Sequence, residues 1–324
     1  MKLKIKIPKH LVALCTCIFS CLFLLQAGLK AQDSTVAVQE KTTPAKKRPV
    51  KNTFQSIWII DNQTVMVPVK GTLEVDIMHR FGTVKNGFED FWGFFAPSNI
   101  RLAVNYSPIK KLNVGIGLTK SSMVWDVSAK YAIITQTKGK YPVSVTYYAN
   151  MGHDTRKDPG KTIFKYQSQR FSYFNQIIIA RKVTDKFSIQ VAPSLSHQNY
   201  VNGYFTKNDS TGTETFKEMK FDHFAIAVSA RYKLTTVMAV MINYDQPITK
   251  HATNNPNPNL SFGIEMTTSS HSFQIFLGNY SLLSPQRNNL YNKNSPFGYT
   301  DADGTKVKGG NFVIGFNITR LWNY

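Results

Sequence analysis

The sequence predicts an all-β fold, a closed antiparallel transmembrane β-barrel of about twelve strands. Three observations carry this expectation: apolar residues recur with a period of two along most of the chain, long connections gather on one side of the strand succession, and the chain closes on an aromatic strand.

The N-terminus sets Lys2, Lys4, Lys6 and Lys9 ahead of an apolar run from Leu11 to Leu25 and closes on Gln26, Ala27, Gly28, Leu29, Lys30 and Ala31. These are the charged, apolar and small-residue parts of a secretion signal, so residues 1–31 are expected to be cleaved near Ala31. A membrane anchor is the competing reading, and the run lies near the lower limit of about 17 residues for a spanning helix. A lipoprotein signal ending at Cys21 fits less well, because Leu22 to Leu25 stay apolar where such a chain turns polar. Cys15, Cys17 and Cys21 all fall inside the signal, leaving the exported part with no disulfide or thiolate ligand in an oxidising compartment.

The formal charge is +20, and the signal removes five lysines and no acid, leaving about +15 on the exported chain. That balance suits an anionic surface of lipid and lipopolysaccharide. The excess is spread over loops and over Lys41, Lys46, Lys47, Arg48 and Lys51, with no nucleic-acid module beside it, so nucleic acid is excluded as a partner.

Residues 32–52 are polar, with Pro44 and Pro49 among lysines and threonines, and read as a flexible basic periplasmic leader. Residues 53–71 carry Ile57, Trp58, Ile59, Ile60, Val65, Val67 and Val69 and are expected to form an N-terminal extension or partial plug at the mouth of a barrel spanning 72–324.

From Thr72 the alternation begins, with Leu73, Val75 and Ile77 against Glu74 and Asp76. It returns in Leu102, Val104 and Tyr106 against Arg101 and Asn105, in Leu112, Val114, Ile116 and Leu118 against Asn113, Gly115 and Gly117, and in Trp125, Val127, Ala129 and Tyr131 against Asp126, Ser128 and Lys130. A helix, with its period of 3.6, would mix these classes on one face. The expected strands are 72–82, 98–107, 111–120, 123–134, 141–150, 170–182, 186–198, 222–233, 235–245, 258–268, 271–280 and 309–320. Most have the length of a tilted membrane strand, about 9–11 residues.

Connections after the second, fourth, sixth, eighth and tenth strands are short or modest, whereas those after the fifth, seventh and eleventh are long and polar. With both termini at the short-turn end, this is the asymmetry of periplasmic turns and external loops; the tight connection at Ser121 and Ser122 departs from it. A greasy face in lipid demands closure, because an open edge would leave backbone groups unpaired. The soluble alternative, a β-sandwich or large closed barrel, would turn the same residues onto an inner core. Aromatic residues near strand ends, among them Trp125, Tyr131, Tyr141, Tyr147, Tyr232 and Tyr244, favour the membrane reading.

In the last strand Phe312, Ile314, Phe316 and Ile318 alternate with Val313, Gly315, Asn317 and Thr319, and Trp322 and Tyr324 continue the spacing. This resembles the C-terminal assembly signal of outer-membrane barrels, and the resemblance implies recognition by the barrel-assembly machinery. Gly71, Thr72, Leu73 and Glu74, the quartet His79, Arg80, Phe81 and Gly82, then Pro97, Asn99, Ile100 and Arg101, and finally Trp125, Asp126 and Lys130 carry a second resemblance. Over residues 53–324 the chain resembles an uncharacterised Bacteroidota-type family of membrane-bound β-barrels. That implies a barrel in the bacterial outer membrane and specifies no solute or reaction.

The charged residues expected to face inward are Glu74, Asp76, Arg80, Arg101, Asp126, Lys130, Arg231, Asp245 and Glu265. Their mixed signs suit a paired network bracing a narrow lumen, with Arg80 and Arg101 meeting Glu74, Asp76 or Asp126; an open array would instead select solutes. Catalytic patterns are weak. Ser196 and His197 are adjacent on one strand and so point to opposite faces. His153 and Asp154 are expected in an external loop. The seven histidines show no zinc spacing, and Asp301, Asp303 and Gly304 lack a full calcium-loop sequence. The expected role is therefore non-enzymatic, with no cofactor or metal. Two functions stay open: a narrow channel for small solutes, and a structural or accessory subunit of a larger outer-membrane protein complex.

Overall fold

A computed structural model describes residues 48–201, 203–207, 211–217, 219–251, 255–300 and 306–323. The expected signal and most of the leader, Tyr324 of the terminal motif, and the Asp301–Gly304 turn lie outside these residues.

A short hairpin comes first, β1 (Trp58–Ile59) with β2 (Asn62–Gln63). Seven long strands follow: β3 (Thr72–Thr83), β4 (Asn99–Ile109), β5 (Leu112–Thr119), β6 (Val124–Ile134), β7 (Ser144–Asp154), β8 (Phe171–Lys182) and β9 (Phe187–Gln198). After a loop hairpin of β10 (Tyr204–Lys207) and β11 (Glu214–Lys217) come β12 (Asp222–Lys233), β13 (Met238–Pro247), β14 (Asn259–Thr267) and β15 (His271–Gly278). The last long connection carries helix α1 (Pro285–Tyr291) and the small hairpin of β16 (Tyr299–Thr300) and β17 (Lys306–Val307), before β18 (Val313–Asn323). The twelve long strands pair with their successors in a closed antiparallel barrel, sealed where β18 meets β3, with Phe316 opposite His79 and Ile318 opposite Ile77.

The two faces of this wall are inverted relative to a water-soluble protein. Along β4, Leu102, Val104 and Tyr106 are exposed on the outer face while Arg101, Ala103 and Asn105 are buried within. The same holds for Ile116 and Leu118 on β5, Trp125 and Val127 on β6, Ile242 on β13 and Ile275 on β15. Meanwhile Glu74, Asp76, Arg80, Lys130 and Glu265 are at most 1% exposed. A sandwich would bury the apolar set and solvate the charges. The observed arrangement makes sense only with hydrocarbon around the barrel, where closure pairs every ladder group. Among the described residues, no helix is long and apolar enough to cross a membrane.

Strand boundaries depart from expectation where local chemistry intervenes. The strand expected at 141–150 begins at Ser144, because Pro142 has no N–H for the ladder and Tyr141 is instead folded against Thr137 in the turn. It runs on to Asp154, with His153 opposite Trp125, so His153 and Asp154 end a strand rather than sit in a loop. The final strand starts at Val313, where Gly310 carries a positive φ of 79° and the ladder to β3 shifts register between Val313 and Gly315.

An aromatic group marks the outer rim. His79 stacks on Phe316 at 5.1 Å and lies 4.3 Å from Phe81, which meets Phe94 from the connection between β3 and β4. Rings of this kind suit the headgroup boundary.

Because Phe316 faces lipid and Asn317 faces the lumen, Phe316→Lys is expected to destabilise insertion more than Asn317→Lys, by about 1–2 kcal/mol at its place between the midplane and the rim. Refolding both variants into lipid bilayers and scoring heat-modifiable migration checks this; equal insertion would contradict the assigned orientation.

Candidate functional site: a lumen filled from both ends

The interior is occupied by the chain's own N-terminal segment. Phe54, Ile57, Trp58, Ile59, Ile60, Asp61, Asn62, Gln63, Thr64 and Val65 are all buried, and their bonds reach inward-pointing groups around the wall. The Trp58 indole donates to Asp76 on β3 at 2.9 Å, and Gln63 accepts from Lys130 on β6 at 2.7 Å. The carbonyl of Val65 accepts from Thr146 on β7, the side chain of Asn62 from Gln176 on β8, and the carbonyl of Gln63 from Gln190 on β9. Asn62 donates to Asn243 and Asp245 on β13. Ile60 is held twice, its N–H by Gln274 on β15 and its carbonyl by Asn317 on β18. Eight of the twelve barrel strands are therefore tied to one short hairpin.

The hairpin is shaped for this position. Ile59 and Ile60, with Phe54 and Val65, pack on an apolar sector of the inner wall that includes Tyr148, Phe174, Ile178 and Phe276. Asp61 meets Arg80 at 2.6 Å. Ile60 carries a positive φ of 59°, which a β-branched residue adopts at a cost of about 1–2 kcal/mol. Burial of its side chain contributes about 1.5–3 kcal/mol, enough to offset the strain.

The entry point is the mouth rimmed by the short turns. Val50 donates to the carbonyl of Gln136 in the turn between β6 and β7, and Gly71 donates to Ser107 where β3 begins. Both ends of the inserted segment are thus fastened at the same rim. From the opposite mouth, the connection carrying α1 folds inward: Gln286 donates to Asn150, Asn289 accepts from Asn259, and Leu283 packs with Ile57, Trp58 and Met78. The two fillings meet inside the barrel.

All nine charged residues singled out from sequence are buried. Arg101 and Asp126 pair through two bonds of 3.0 and 2.7 Å, and Asp126 also accepts from Asn150. Gly117 makes this pair fit, since a Cβ there would meet the Asp126 carboxylate at 2.6 Å as well as the Arg101 guanidinium. Arg231 pairs with Glu265, and Asp76 accepts from Trp58, Asn105 and Thr319. Arg80 does not meet Glu74, Asp76 or Asp126 but Asp61 of the hairpin, with its guanidinium also over Phe276 at 4.3 Å. Glu74 has no hydrogen-bond partner among the described residues. Of the quartet His79, Arg80, Phe81 and Gly82, only Arg80 joins the lumen; His79 and Phe81 belong to the outer rim.

Sequence reasoning missed Asp61, because its partner lies across the lumen and no strand periodicity links them. The signal available was an Asp-Asn-Gln run directly after four apolar residues. Ser196 is buried while His197 faces outward and pairs with Asp222 at 2.7 Å, so the two do not meet. No group of three or more His, Cys, Asp or Glu among the described residues is placed to hold a metal ion.

Removing Asp126 would leave Arg101 buried without its counter-charge, so Asp126→Ala is expected to cost about 3–5 kcal/mol. The exposed Asp185, 3.9 Å from Lys182, gives the contrast, with Asp185→Ala expected within about 0.5 kcal/mol of wild type. Urea unfolding in lipid vesicles measures both.

Among solved structures, the chain is similar to the NanC porin, with 9% identity over 78% of this chain and 99% of that one, at a TM-score of 0.43. The KdgM porin shows 8% identity over 76% and 98%, at 0.42. An outer-membrane channel from Pseudomonas putida F1 shows 10% over 79% and 97%, at 0.45. These likenesses bear on neither solute nor partner. No curated protein sequence matches. The protein is an outer-membrane barrel, set among that membrane's lipid and lipopolysaccharide and, like such barrels in general, inserted by the assembly machinery. The profile described as "Membrane bound beta barrel domain (DUF5777)" matches residues 54–322, nearly the whole barrel with its inserted hairpin, and the chain belongs to that family.

Proposed function

We propose that the protein is a non-enzymatic channel for small solutes, held shut by its own N-terminal hairpin and opened when that hairpin leaves the lumen. The observation that carries this reading is the ring of bonds from residues 57–65 to eight strands. Fastening both ends of the segment at one rim supports reversible withdrawal, since nothing has to thread through the barrel. The charges on the wall, Asp76, Arg80, Lys130 and Asp245, bond to the hairpin now and would line a wet path once it leaves, setting solute preference electrostatically.

The accessory reading has an observation of its own. The external connection between β3 and β4 exposes Phe88 and Phe95 at 79% and 81%, beside Phe91 and Trp92. Rings so displayed suit a protein partner as well as a headgroup layer.

Single-channel recording in planar bilayers separates the two. Wild type is expected to be silent or weakly conducting, and replacement of residues 54–66 by a Gly-Ser linker to give openings, larger and steadier when residues 282–292 of the second filling are replaced as well. Large reproducible openings from wild type would contradict the shut state; silence from the linker variant, if it keeps heat-modifiable migration, would favour the accessory role.

A further inference from the structure

A cavity of about 460 Å³ opens at the external mouth, bounded by the ends of β6 to β9, the connection between β7 and β8, and α1. It lies within the size range of small-molecule sites, roughly 300–1,000 Å³. Its charged lining is three arginines, Arg156, Arg170 and Arg287, against the single carboxylate of Asp154.

The three arginines are in different states. Arg156 is engaged with Asp154 through bonds of 3.0, 3.1 and 2.7 Å. Arg170 donates to the carbonyls of Asp154 and Arg156 and lies over Phe164, so it braces the wall while keeping its charge uncompensated. Arg287 is half-buried on α1, its backbone N–H donating to the Ser284 carbonyl; its guanidinium lies 5.9 Å from the Tyr291 ring and makes no hydrogen bond or ion pair among the described residues. Burial lowers its pKa from the ordinary arginine value; Tyr291 and Asp154 pull the other way, and Arg156 adds to the lowering. A planar guanidinium in that position is short of an anion.

The surroundings favour a soluble ligand. Ser172 and Gln198, on the floor, are on the inner side of the wall, so the cavity faces the mouth and not the lipid. The connection over it adds Lys157, Lys161 and Lys165 against Asp158 alone, a field that draws anions inward. That loop is fixed by Asp158, whose carboxylate accepts from the N–H groups of Phe164, Ile163 and Thr162 and is held at about 2 by those bonds, so it stays ionised at neutral pH. Tyr200 and Tyr291 give the cavity aromatic sides.

We infer that this cavity binds a small soluble carboxylate, with Arg287 as the recognition residue and Arg170 supplying further positive field. The site stands whether or not the barrel conducts.

Titration calorimetry on the full-length folded barrel in detergent, with glucuronate as the carboxylate and glucose as the neutral ring, tests it. Saturable glucuronate binding is expected, at least roughly tenfold tighter than glucose, as a charge-assisted pair would give. Arg287→Gln should remove most of that binding while heat-modifiable migration is kept, and Arg287→Lys should fall between, retaining charge without the planar fork. Equal binding of glucose, no saturable glucuronate binding, or full binding by Arg287→Gln would overturn the inference. So would binding of lipid A phosphates in mixed micelles with none of glucuronate, which would assign the cavity to a lipid headgroup. Should Arg287→Gln fail to fold, the wild-type comparison of the two sugars decides.

Discussion

A polar side chain turned into the barrel is costly unless it finds a partner there, because the wall behind it faces hydrocarbon. The apolar outer stripe and the charged inner stripe are two sides of one alternation, so a chain that is greasy outside is committed to a polar interior. An uncompensated charge in that interior costs about 3–5 kcal/mol when its partner is removed. Cross-strand pairs such as Arg101 with Asp126 and Arg231 with Glu265 meet part of the demand. The inserted hairpin meets much of the rest, donating to Asp76 and Asp245 and accepting from Arg80 and Lys130.

This explains why the hairpin has two characters. Its isoleucines and Phe54 cover the apolar sector of the inner wall, while Asp61, Asn62 and Gln63 answer the polar groups elsewhere. The positive φ at Ile60 is tolerated because both its backbone groups are held by the wall and its side chain is fully buried. From the wall, Asp126 continues through Asn150 to Gln286, so the external cap is joined to the same set of bonds.

The barrel was readable in the sequence because period-two alternation is a local property: Leu102, Val104 and Tyr106 announce their face without reference to any neighbour. The ends of strands were less so, as at Pro142, where a missing N–H moved the start of β7. Which residues point inward followed from the same alternation, and Arg101 meets Asp126 as that alternation allows, but the partner of Arg80 did not follow. Arg80 meets Asp61 only because the hairpin folds back into the lumen, and no spacing rule encodes that distance. The external cavity was invisible for the same reason, since Arg156, Arg170 and Arg287 come together from two separate connections.

The account rests on the hairpin occupying the lumen, and one cysteine reports on that directly. Thr64 is fully buried, Val69 is 67% exposed just outside the inserted stretch, and the expected mature chain has no cysteine of its own. In outer membranes opened to the periplasmic side, Thr64→Cys should resist a hydrophilic maleimide under native conditions while Val69→Cys reacts readily, and both should label once the barrel is unfolded. Labelling of Thr64→Cys as fast as Val69→Cys in the native membrane would contradict the claim that the segment fills the barrel.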